Sequence, residues 1–158
     1  MTHPLEKILL YIDGSESSIT ASQFAIIMAK RYVSALSAIY VVNENLLSEL
    51  LGAKVFVQMD YERSLEDDGK RYLNYVVKLG EKKGVKVETM LRKGIVHEEV
   101  IKEVTRGGYD LLVQGELGEV LSLRDSFYEE GERILRKVSC AVLVVRGRDR
   151  IERAFGEL

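Results

Sequence analysis

KILLYI, Lys7 to Ile12, is an apolar run behind one lysine, and Asp13, Gly14 and Ser15 follow it at once. A continuous run of strand length closed by a turn signal suits a strand covered on both faces. The period then changes. Ala21, Phe24, Ala25, Met28 and Tyr32 share one helical face. Ser15, Ser17 or Ser18 can cap that helix. The alternation then repeats along the chain. Ala35–Val42 reads as a second strand, Val85–Leu91 as a third, Tyr109–Gln114 as a fourth and Ala141–Val145 as a fifth. Between them, Tyr61, Leu65, Tyr72 and Val76 predict a helix to about Lys83, with Gly84 just past its end. Val96, Val100, Ile101 and Val104 predict another, ended by Gly107 and Gly108. Phe127, Gly131, Ile134, Leu135 and Val138 predict a further one, with Gly131 as a close-packing position on its buried face. Leu46, Leu47, Leu50 and Leu51 suggest a short helical stretch, and 53–59 reads equally as strand or helix. Residues 147–158 read as a charged tail. The pattern is βαβαβαβαβ: an α/β domain over 1–158, with a parallel sheet between two helical layers.

Composition narrows the function. The chain has 158 residues, the size of one domain. Its only cysteine, Cys140, excludes an intrachain disulfide framework and a multi-cysteine metal site, and fits a reduced setting. The 23 basic and 25 acidic residues leave a net charge of −2, so no global field attracts nucleic acid. The eight tyrosines are spread without a stacking stripe. No apolar run approaches the ~18 residues of a membrane span, and the opening MTHPLEK has no signal-peptide core. The expectation is a cytoplasmic protein with neither a nucleic-acid nor a membrane partner.

Five segments line up in order: KILLYIDGSE at 7–16, AIYVVNE at 38–44, VKVETMLRKG at 85–94, YDLLVQGELG at 109–118 and ILRKVSCAVLVVR at 134–146. Together they resemble the universal stress protein family. The resemblance implies an open five-stranded parallel sheet of order 3-2-1-4-5. Ligands of such sheets sit in the crevice at the strand carboxyl ends, where the order reverses. Asp13, Val41 and Gly115 would lie there.

Some members of that family bind ATP through Gly-x2-Gly-x9-Gly-Ser/Thr, in which glycines admit the phosphates and a helix N-terminus donates N–H groups. Here Gly115 and Gly118 keep the first half, and Asp13 and Val41 match the nucleoside-side positions. Tyr128 and Glu129 stand where Gly-Ser/Thr belongs, adding bulk and a carboxylate. Between 115 and 132, Glu116, Glu119, Asp125, Glu129, Glu130 and Glu132 face Arg124 alone, five excess acids (six minus one). That surplus repels polyphosphate. The expectation is a degraded ATP site and no cofactor, with Tyr128 and Glu129 blocking the phosphate position and the Glu129 carboxylate occupying it. The alternative is an ATP- or AMP-binding switch, with or without Mg, that uses Asp13, Val41, Gly115 and Gly118. A third reading is a slow nucleotide hydrolase, for which no base or nucleophile stands out.

Blander readings stand beside these. Asp13 serves equally as the cap of the first helix, and Gly115 and Gly118 equally as a plain turn. Cys140 reads as a packed core thiol, and His97 as a surface or capping residue at a helix start. Glu66, Asp67 and Asp68 read as a solvated face, and Arg146, Arg148 and Arg150 as solvated ends. There is no Gly-x-Ser-x-Gly elbow and no Walker loop, so no enzyme is expected. A phospho-receiver domain is excluded because the third strand ends in Met90-Leu91-Arg92-Lys93, without an Asp. In the order 3-2-1-4-5 the fifth strand is an edge. Ala141, Val142, Leu143, Val144 and Val145 carry no charge or proline to protect it. The family pairs this strand with its copy, so a two-fold homodimer is expected.

Overall fold

The computed structural model describes residues 5–44, 55–117 and 125–158. The described strands are β1 (Lys7–Tyr11), β2 (Ala35–Asn43), β3 (Val87–Gly94), β4 (Leu111–Gly115) and β5 (Ala141–Val145). The described helices are α1 (Glu16–Tyr32), α2 (Val55–Lys82), α3 (Val96–Gly107), α4 (Asp125–Lys137) and α5 (Arg148–Gly156). The strands form one parallel sheet of order β3-β2-β1-β4-β5.

The apolar runs explain the layering. Ile8, Leu9 and Leu10 of the central strand are fully buried. Ile8, Leu10 and Ile12 face a layer made by α1, α2 and α5. Leu9 and Tyr11 face the opposite layer, made by α3 and α4. Both sides of β1 are therefore removed from water, each large side chain contributing about 1.5–3 kcal/mol. Among the three candidate caps, Ser15 is the N-cap of α1: its Oγ accepts the Ser18 N–H at 3.2 Å.

Several boundaries differ from the sequence reading; β4, for one, runs Leu111–Gly115 instead of Tyr109–Gln114. The ambiguous stretch resolves as helix from Val55 onward, the start of the 28-residue α2. The short helical stretch expected at Leu46–Leu51 lies outside the described residues. β3 starts at Val87, because the chain reverses after α2 through Gly84 (φ +73°), with the Val85 N–H bonded to the Gly80 carbonyl at 2.8 Å. The charged tail is a helix, α5, that packs back across α1. Ile151 and Phe155, four residues apart, are its buried anchors, and the Lys83 ammonium lies 5.0 Å from the Phe155 ring centre.

Candidate functional site

The crevice arises where neighbouring strands send their helices to opposite faces. β1 leads into α1 on one face, and β4 leads toward α4 on the other. β1 pairs with β2 only as far as Tyr11 opposite Ile39, while β2 continues to Asn43. The Ile12 N–H closes the ladder on the Ile39 carbonyl at 3.1 Å. Side alternates every residue along a strand, so the peptide groups of Val41 turn toward β1 beyond its end. The Val41 side chain is buried on the α3–α4 side.

Asp13 lies in the loop between β1 and α1. Its Oδ1 accepts the Ser15 N–H at 2.8 Å, an Asx turn. It is therefore not the cap of α1, which is Ser15. Gly14 adopts φ +86°, and a Cβ there would lie 2.5 Å from the Tyr72 ring. Tyr72 stacks on Tyr40 at 6.1 Å between centres. Burial, reinforced by Asp68, Tyr72 and Asp13, pushes the Tyr40 hydroxyl up to about 12.

Gly115 ends β4 at the crevice, as expected, but its glycine requirement has a packing cause. A Cβ there would lie 2.5 Å from the Ser17 carbonyl oxygen, in the first turn of α1. Gly131 behaves as the sequence suggests: a Cβ would meet Leu117 at 2.6 Å. Gly118 lies outside the described residues. For Tyr128 and Glu129 only the backbone is described, running within α4 three and four residues after Asp125. The expected blocking side chains therefore lie outside the description as well.

Two readings of charge change. His97 is not a surface residue: it is buried, with both its backbone N–H and ring Nδ1 2.6 Å from Glu130 Oε2. α3 has Ile95 at its N-cap position, with no side-chain cap bond of its own. Glu130, reaching over from α4, supplies the missing acceptor and meets the positive end of the helix dipole. The acid surplus counted along 115–132 is also offset in space. Glu116 faces Arg146 at 3.8 Å, Glu130 faces Arg133 at 3.6 Å, and Glu132 faces Arg136 at 2.7 Å. These three arginines lie outside the counted window.

Sequence reasoning also missed Gln114, which is buried with its Nε2 donating to the Gly131 carbonyl at 3.3 Å. Its Oε1 has no partner among the described residues. Cys140 is only partly buried, against the α3–α4 side, and burial raises its thiol pKa. Asp68 pairs with Arg71 at 2.6 Å on the exposed face of α2. Among the described residues, no cluster of His, Cys, Asp and Glu could hold a metal ion.

The match to the Universal stress protein family model spans residues 4–146, from before β1 to just past β5. The chain belongs to the universal stress protein family. Universal stress protein MJ0531 of Methanocaldococcus jannaschii is 30% identical over 142 residues, covering 89% of this chain and 82% of the relative. The structure of the universal stress protein UspA from Lactobacillus plantarum superposes with a TM-score of 0.78 at 20% identity, covering 92% of this chain and all of that one. A universal stress protein from Archaeoglobus fulgidus, in complex with dAMP, superposes with a TM-score of 0.60 at 11% identity, covering 92% of this chain and all of that one. The family match stops at Arg146, before α5.

Proposed function

We propose that this universal stress protein is a non-catalytic, cytoplasmic regulatory domain that works as a homodimer and whose crevice rejects a triphosphate. One observation carries the last point. The helix that would offer its N-terminus to phosphates begins at Asp125 and has Tyr128 and Glu129 in place of Gly-Ser/Thr. Acidic residues near a helix start suit its dipole and oppose an incoming anion there.

Support for the dimer comes from β5. Val142, Leu143 and Val144 are only half-buried, and α5 turns back over α1 instead of lying along that edge. An unprotected apolar edge favours pairing with a second copy. Sedimentation equilibrium at micromolar concentration should give twice the chain mass; the mass of one chain refutes the dimer.

A second reading, a nucleoside or nucleoside monophosphate as ligand, is favoured by the Val41 peptide groups, which turn toward β1 beyond the end of its ladder. The dAMP complex of the Archaeoglobus fulgidus protein supports the same ligand class. Thermal melts with adenosine, AMP and ATP test both readings. A ligand at 100 times its Kd adds about 2.7 kcal/mol, or roughly 5–11 °C in a domain of this size. A larger shift with ATP than with AMP refutes triphosphate rejection. No shift with adenosine or AMP refutes the nucleoside reading.

A further inference from the structure

We propose that Arg146 and Arg148 form a cationic rim to the crevice that receives the phosphate of a nucleoside monophosphate. This rests on the nucleoside reading above. β5 ends at Val145, and Gly147 adopts φ +84°, turning the chain straight from the strand into α5. The two arginines flank that turn, at the carboxyl end of the sheet. Arg146 Nε faces Glu116, one residue beyond β4, at 3.8 Å. Arg148 faces Glu16, the first residue of α1, at 3.2 Å, and Glu152 at 2.9 Å. β4 and the start of α1 meet at Gly115 and Ser17. The guanidiniums are thus attached to the two connections that diverge to make the crevice.

The side chains are suited to exchange. Arg146 is 77% exposed and Arg148 59%, and the carboxylates they face are about half exposed or more. Exposed pairs of this kind are weakly held and their partners rehydrate freely. Guanidinium presents a planar fork that matches phosphate oxygens two at a time. A phosphate dianion balances two guanidiniums, and a longer tail brings surplus negative charge against Glu16 and Glu116. α4 begins with an aspartate, so the cations for a bound phosphate are better supplied from this side. Arg148 lies beyond the family match, at the start of α5.

Calorimetric titration of adenosine and AMP into the full chain tests the proposal. The proteins compared are the wild type, the Arg146→Gln/Arg148→Gln variant, and a charge-matched control on α5, Arg150→Gln/Arg153→Gln. The expected result is at least tenfold tighter binding of AMP than of adenosine by the wild type and the control. The rim variant should lose that preference with adenosine affinity unchanged, which also reports an intact fold. A rim variant that keeps the AMP preference overturns the proposal. Wild-type protein that binds adenosine but shows no AMP preference overturns it while leaving the nucleoside reading standing. Wild-type protein that binds neither compound overturns both.

Discussion

Replacing Gly115 with alanine separates two explanations of the same glycine. In the nucleotide fingerprint, a glycine at this position lets phosphate approach the backbone. In the structure, it lets the first turn of α1 approach β4. An added Cβ would lie 2.5 Å from the Ser17 carbonyl oxygen and 2.6 Å from its carbon, both backbone atoms. Neither can swing aside as a flexible side chain would, so α1 must retreat from the sheet. Ser15, the cap of α1, sits in the same turn and moves with it. Overpacking of this kind costs about 1–3 kcal/mol, which lowers the melting temperature of a domain this size by roughly 2–12 °C. Urea unfolding of nucleotide-free protein, followed by circular dichroism, measures the cost directly. Gly156→Ala is the control, because a Cβ there meets nothing within 4 Å. A Gly115→Ala protein as stable as wild type without ligand sinks the packing explanation and returns Gly115 to the phosphate site.

Val33 is the only non-glycine residue with positive φ among the described residues (φ 54°), and it is 90% exposed at the end of α1. Val33→Gly relieves about 1–2 kcal/mol of left-handed strain against about 0.5–1 kcal/mol of added chain entropy, so calorimetry should show a net gain of about 0–1.5 kcal/mol; a loss of stability contradicts this. Because the folded protein holds the Tyr40 proton up to about pH 12, its contribution is complete below pH 10 and is lost as pH rises toward 12. Solvent screening reduces that contribution to about 1–2 kcal/mol. Tyr40→Phe should flatten the fall of unfolding free energy between pH 10 and 11.5, and an unchanged slope refutes the assignment.

The α/β layering was legible because most strands are continuous apolar runs and the helices between them show apolar faces; the strand order and its crevice came only through the family resemblance. α5 escaped detection because Ile151 and Phe155 are its only buried apolar residues, in a stretch otherwise dominated by charge. A nine-residue helix with two anchors exists through its packing on α1 rather than through its own propensity. The His97–Glu130 contact spans 33 residues, beyond any local pattern. One trace of it was visible: Gly94-Ile95-Val96-His97 starts a helix without Ser, Thr, Asp or Asn at the cap. Orphan N–H groups at a buried helix start must find an acceptor elsewhere, and Glu130 is that acceptor. The positions of Asp13 and Val41 followed from strand ends, but the reason for Gly115 depends on how closely α1 lies, which no single segment encodes.

The case against a triphosphate changes basis once the arginines are placed. Counted along the chain, the segment after β4 holds five surplus acids; in space, Glu116, Glu130 and Glu132 each face a cation. Neutralised acids repel less, but their cations are also committed. What decides is which pairs can be broken. Glu130 is buried and bonded to His97. Drawing Arg133 away from it toward a ligand leaves a carboxylate that water cannot fully restore, at a cost of about 1–3 kcal/mol or more. Glu116 and Glu16 are open to water, so releasing their arginines costs about 0–1 kcal/mol each. Burial thus sorts the cations near the crevice into fixed and exchangeable ones. On the β5 side the exchangeable ones are Arg146 and Arg148, and in the proposed site they match a single phosphate better than a triphosphate.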